Sequence, residues 1–253
     1  MKASSTRRKF LKWGSLASLS ALANPLSAGD ITDITLKGQI PENLTVVFQG
    51  DSITDAGRNR SRYYANDISG MGHGYVYQIV AKMLANHPKS NLRCYNRGIS
   101  GNKVFQLAAR WQEDCLQLQP QVLSILIGVN DFWHTLSGNY QGTAEVFEKD
   151  LRQLLERTRK QLPEVKLILG EPFAVKGGSA ITDVWEQDFP QYQSMVRNIA
   201  KDFQSGFVPY QQVFDDALSL GTVDHWCADG VHPSMAGAML MRDAWLKVFN
   251  QMW

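Results

Sequence analysis

The feature that most limits the fold is an alternation. Short apolar runs, each about one β-strand long, are separated by longer stretches whose apolar residues recur at helical spacing. That alternation predicts βαβ units and a parallel sheet, an α/β fold. Residues 44–48, 92–95, 122–127 and 165–169 are predicted strands. Residues 207–209 are a short edge strand, since Pro209 suits an edge. The run 122–127 is almost continuously apolar, as a central parallel strand covered on both faces should be. Predicted helices cover 75–85, with Val76, Ile79, Val80, Met83 and Leu84 on one face, and 104–118. Phe147, Leu151, Leu154, Leu155 and Leu162 mark a long helix. Tyr192, Met195, Val196, Ile199 and Phe203 mark another. A last helix starts just after Pro233 and runs towards Phe249.

Four short motifs follow one another along this frame: Gly50-Asp51-Ser52-Ile53, Gly98-Ile99-Ser100-Gly101-Asn102, Gly128-Val129-Asn130-Asp131 and Asp229-Gly230-Val231-His232-Pro233. The first three follow the carboxyl ends of predicted strands, where open α/β sheets bind ligands. The fourth precedes the last helix. Ser52 offers a hydroxyl, a weak nucleophile unless a base takes its proton. His232 is the candidate base. Asp229, three residues earlier, is near enough in a turn to accept from the other ring nitrogen, which would fix the tautomer and stabilise the imidazolium. Of the other histidines, His225 adjoins Asp224 but lacks a following proline, and His73 lies in a glycine-rich loop that can line a pocket. His134 follows the third motif and can reach a substrate, and His87 ends a helix, facing solvent. A Gly-x-Ser-x-Gly elbow is absent, which argues against the α/β-hydrolase fold. Metal binding and cofactors find no support, because neither a His-Glu-x-x-His motif, paired cysteines, a phosphate loop nor a dinucleotide fingerprint occurs.

With these four motifs in this order, the chain resembles the SGNH (GDSL-type) hydrolases, with Ile53 in place of the family's leucine. The resemblance implies a three-layer α/β/α fold around a flavodoxin-like five-stranded parallel sheet. It implies a triad of Ser52, His232 and Asp229. It also implies an oxyanion hole made of the Ser52 N–H, the Gly101 N–H and the Asn130 side-chain amide, with Gly101 allowing close backbone approach. Asp51 and Asp131 are expected to order the loops. Asp51 also stands among the candidate substrate contacts, with His73, Trp133, His134 and Trp226. Within the family, residues 50–58, 74–76, 96–102, 109–111 and 127–133 are similar to bacterial xylan and xylo-oligosaccharide acetylesterases. The segment 59–70 departs from them and is a candidate rim of the substrate site. The implied activity is hydrolysis of O-acetyl esters on carbohydrate, with an acetylated carbohydrate as substrate. Trp133, Trp185 and Trp226 lie near strand-end loops where aromatic faces can stack on sugars. The alternatives are a lysophospholipase or thioesterase of the same superfamily, or a non-catalytic carbohydrate binder.

The chain has 26 basic and 24 acidic residues, but residues 1–28 hold five basic and no acidic ones. Thr6-Arg7-Arg8-Lys9-Phe10-Leu11-Lys12 matches a twin-arginine export signal, and a modestly apolar stretch follows. That stretch is too short and polar to span a bilayer. Cleavage is expected after Ala28, with Ala23 the other candidate. The domains read as a 1–28 signal peptide, a 29–43 extension and a 44–253 hydrolase domain. The translocase is then a partner, and the destination is periplasmic or secreted. Without the leader the balance is 21 basic to 24 acidic, so the basicity is no nucleic-acid footprint. A homo-oligomer is compatible with the sequence. Cys94, Cys115 and Cys227 lack metal-ligand spacing and read as buried free thiols.

Overall fold

The computed structural model describes residues 40–252. The expected signal peptide, its twin-arginine motif and most of the extension lie outside the described residues. Strand β1 (Thr45–Gly50) is flanked by β2 (Arg93–Asn96) and β3 (Val122–Leu126). Beyond β3 come β4 (Lys166–Gly170) and β5 (Gly206–Val208), giving the parallel order β2-β1-β3-β4-β5. This is the flavodoxin-like order, and its direction reverses between β1 and β3. A crevice opens at such a switch point beyond the strand ends. Every residue of β1 and β3 is buried, which explains why residues 122–127 read as one apolar run.

The connecting helices are α1 (Ser52–Asp55), α2 (Ile68–Met71), α3 (Tyr75–Asn86), α4 (Val104–Asp114), α5 (Val129–Leu136) and α6 (Ala144–Gln161). Then follow α7 (Asp183–Asp188), α8 (Pro190–Asp202), α9 (Tyr210–Ala217), α10 (Val223–Cys227) and α11 (Met235–Phe249). Helices α3, α9 and α11 pack together, as do α4, α6 and α8, so the sheet lies between two helical layers. Two buried tryptophans pin helices in place with their polar edges satisfied. Trp245 Nε1 donates to Ser124 Oγ at 3.0 Å, and Trp111 Nε1 to Thr158 Oγ1 at 2.9 Å.

Several boundaries differ from the sequence expectation. The helix predicted over 104–118 stops at Asp114. Cys115 leaves helical geometry at φ −138°, and Leu116–Leu118 form a tighter 3₁₀ turn. Pro209 lies just past β5 as the residue before α9, although β5 is an edge strand as expected. Six helices of eight residues or fewer, namely α1, α2, α5, α7, α9 and α10, had no prediction. Such short elements show too few turns for a 3.6-residue period to emerge. His87, expected to face solvent, is partly covered. Its Nε2 is buried, and burial lowers its pKa. Cys94, Cys115 and Cys227 are free and buried, and burial pushes the Cys94 and Cys227 thiols up to about 12.

Candidate active site

The site is built from the end of β1 outward. A side chain at Gly50 would stand 2.4 Å from the Leu126 carbonyl and 2.3 Å from Thr54 Oγ1, so only glycine fits between β3 and α1. Asp51 caps α1, its Oδ1 accepting from the Ile53 N–H at 3.0 Å. Ser52 therefore opens the helix. Among the described residues its N–H has no acceptor, as the first amide of a helix should not.

The loop carrying the second motif is pinned to α1. Ser100 donates to Asp55 Oδ2 through its N–H at 2.9 Å and its Oγ at 3.1 Å. Arg60 donates to the same carboxylate. Burial would raise the Asp55 pKa, but these donors outweigh it and hold the group below its ordinary value. Asn96 donates to the Thr54 carbonyl at 2.6 Å and the Met71 carbonyl at 2.8 Å, and accepts from the Gly98 N–H at 2.9 Å. Sequence reading gave neither Asp55 nor Asn96 a role. The only signal was that each stands within a motif segment.

Gly101 adopts φ +81°. A side chain there would meet nothing nearer than His134 Cε1 at 4.0 Å, so the position needs glycine for its backbone conformation. Among the described residues its N–H has no acceptor. Asn130 sits in the first turn of α5, 5% exposed. Its Nδ2 donates one hydrogen to the Asn102 carbonyl at 3.3 Å and keeps a second to give.

The fourth motif closes over this floor. Ser52 Oγ lies 2.8 Å from His232 Nε2, and His232 Nδ1 lies 2.6 Å from Asp229 Oδ2. Asp229 Oδ1 accepts from the backbone N–H of Val231 at 2.8 Å and of His232 at 2.7 Å. Partial burial would raise the Asp229 pKa. The hydrogen bonds from His232 and Val231 reverse that and hold it below the ordinary carboxylate range. A hydroxyl, a base and an orienting carboxylate are thus hydrogen-bonded in line, an arrangement that acyl transfer can use.

Other candidates fall in different places. His73, Ser100, Tyr75, Met235 and Met241 line a cleft of about 300 Å³ against Ser52 and His232. The half-buried Trp133 ring lies 6.4 Å from the His232 ring and packs edge-on to Trp185 at 5.5 Å. Trp185 and Trp226 are only 2% and 8% exposed, so neither presents a face for a sugar, and Trp226 is corrected from substrate contact to core. Asp51, 1% exposed, is corrected in the same way to a helix cap. The His225 ring packs edge-on against Trp226. Among the described residues, no three His, Cys, Asp or Glu side chains converge as a metal ion would require.

Residues 48–240 match the GDSL-like lipase/acylhydrolase family. The chain is 36% identical to an acetylxylan esterase of Geobacillus stearothermophilus over 213 residues, covering 82% of this chain and 94% of that one. The crystal structure of that esterase superimposes with a TM-score of 0.75 at 34% identity, covering 83% of this chain and 95% of the other. Structures also exist of its catalytic mutants, in which a serine, an aspartate or a histidine is replaced by alanine, the last two being three positions apart. A protein from Parabacteroides merdae assigned as a GDSL-like lipase superimposes with a TM-score of 0.81 at 44% identity, covering 83% and 97% of the two chains. The chain belongs to the GDSL-like lipase/acylhydrolase family and is a carboxylic ester hydrolase of the SGNH type.

Proposed function

We propose that this esterase removes O-acetyl groups from carbohydrate of the xylan or xylo-oligosaccharide type, through an acetyl-enzyme on Ser52. The observation that carries this reading is the in-line Ser52, His232 and Asp229 set in a chain similar to an acetylxylan esterase over 94% of that enzyme. The aspartate and histidine mutated in that esterase share the three-residue spacing of Asp229 and His232.

His232 Nε2 takes the Ser52 proton as Oγ attacks the acetyl carbonyl. Asp229, kept ionised by its backbone donors, stabilises the imidazolium through Nδ1. Negative charge on the carbonyl oxygen meets the Ser52 N–H, the Gly101 N–H and the remaining Asn130 amide hydrogen. His232 then protonates the departing sugar oxygen. Water activated by the same histidine releases acetate and frees Ser52. No step calls for a metal or cofactor.

The cleft beside Ser52 has more room than an acetyl methyl needs, and Met235 at its edge is 82% exposed. That apolar rim is the one observation favouring longer acyl chains, since each methylene it buried would gain about 0.8 kcal/mol. The two readings separate on acetate release from acetylated xylo-oligosaccharides, measured beside kcat/KM for acetyl, butyryl and octanoyl p-nitrophenyl esters. Acetate release with acetyl the best of the three is expected. Octanoyl above acetyl, with no acetate from the oligosaccharides, would discard the carbohydrate substrate. Export through the twin-arginine pathway completes the reading. Replacing Arg7 and Arg8 by lysine should leave the precursor in the cytoplasm, and unchanged export would reject it.

A further inference from the structure

Beside the oxyanion donors stands a polar pair that the chemistry above does not use. His134 lies one helical turn after Asn130 on α5, so the two side chains share a side of that helix. Its Cε1 is the protein atom facing the space in front of Gly101. Its Nδ1 is 2.9 Å from Lys103 Nζ. Lys103 is only 7% exposed. Among the described residues it forms no ion pair with a carboxylate. Its ammonium faces the rings of Phe105, at 5.7 Å, and Tyr140, at 5.3 Å, which stack on each other 5.8 Å apart.

An ammonium has three donors and no acceptor. Nδ1 of His134 must therefore accept, and the ring proton of the neutral imidazole must sit on Nε2. We propose that Lys103 locks His134 as the Nε2–H tautomer, and that this N–H donates to a hydroxyl of the sugar that carries the ester, holding the alcohol half of the substrate beside the oxyanion hole. Burial first, and then the Lys103 charge, hold the His134 pKa below its ordinary value, which agrees with a neutral ring. Among the described residues Nε2 has no acceptor, so the N–H is available to a ligand. Phe105, 45% exposed, adds an apolar face next to it. The sugar contact rests on the carbohydrate reading above, whereas the tautomer does not.

The tautomer is read directly by long-range ¹H–¹⁵N correlation spectra of histidine-labelled enzyme. The His134 signals, assigned by their loss in His134→Ala, should show Nδ1 unprotonated and Nε2 protonated. Lys103→Met should yield a mixture of tautomers. A wild-type Nδ1 carrying the proton would overturn the lock, whether or not Lys103→Met folds. A neutral hydrogen bond contributes about 0.5–1.5 kcal/mol, roughly 2- to 13-fold. His134→Ala should accordingly lose several-fold more kcat/KM on acetylated xylo-oligosaccharides than on p-nitrophenyl acetate, chiefly through KM. His134→Gln, which keeps a donor, should recover part of it. Equal losses on both substrates would mark a structural role and overturn the sugar contact. Wild-type enzyme that cleaves p-nitrophenyl acetate but releases no acetate from any oligosaccharide would fail the carbohydrate reading and take the contact with it, leaving the tautomer to the spectra.

Discussion

The serine half and the histidine half of this site are built by different means. The serine half is tertiary. Ser52, Gly101 and Asn130 follow three different strands and lie among buried side chains, with the Asp55 side chain only 2% exposed. The histidine half is almost local. Four consecutive residues carry the acid and the base, and one Asp229 oxygen receives both backbone N–H groups of the turn while the other receives the ring. It is also open, with the His232 and Asp229 side chains 45% and 34% exposed. What it lacks is a position. The segment 178–180 gives it one, because Ala180 N–H donates to the Asp229 carbonyl and Gly178 lies against Gly230, 2.3 Å from where its own side chain would begin. The serine half is thus tied to the sheet and its buried loops, and the histidine half to one turn and its backing loop.

The harshest break in that comparison is at the junction of the halves. Ser52→Ala should cost on the order of 10⁶ in kcat, as nucleophile loss does in serine enzymes whose residues act as a unit, with unfolding unchanged. Activity within tenfold of wild type would remove Ser52 from the chemistry. Asp229→Asn is milder in shape and keeps the turn. It replaces the carboxylate that orients His232, so kcat should fall by about 10⁴. Near-normal turnover would show that the backbone alone orients the ring. On the serine side, Asn130→Ala removes one of three donors and should cost roughly 3 kcal/mol, felt in kcat more than in KM, because the charge it meets develops only in the transition state. An effect confined to KM would make Asn130 a ground-state contact instead.

The same contrast decides what was legible in the sequence. Asp229 and His232 could be paired from their spacing alone, since three residues of a turn fix their distance. The sheet was legible because β1 and β3 are buried on both faces and read as apolar runs. The serine half needed four motifs taken together, for nothing local in Gly101 or Asn130 marks either as part of a site. Asp55 and Asn96 escaped notice because a carboxylate and an amide that bond to backbone groups some 45 and 42 residues away have no periodic signature. Trp226 was misplaced for a related reason. A tryptophan between a catalytic loop and the core looks the same in sequence whichever way its ring turns.

The gentlest test addresses the scaffold of the serine half. Asp131 Oδ1 accepts from the Val104 N–H at 3.1 Å, so the third motif caps the helix that follows the second. Its Oδ2 is buried without a partner. Burial raises its pKa to about 7, against the opposing pull of the Val104 N–H and the Lys103 charge. In the unfolded chain the same carboxyl titrates near its ordinary value of about 3.9. Between about pH 4 and 7 the folded protein therefore keeps a proton that the unfolded chain has lost. The sign follows from linkage: where the native state binds more protons, stability falls as pH rises, and it levels off above the folded pKa. Asp131→Asn keeps an oxygen for the Val104 N–H and cannot titrate, so its melting temperature should fall less than that of wild type from pH 4 to 7. Asp51, also raised to about 7 by burial, should preserve part of the slope in both proteins. Tm curves for the two proteins that run parallel over that window would show that Asp131 does not carry the proton.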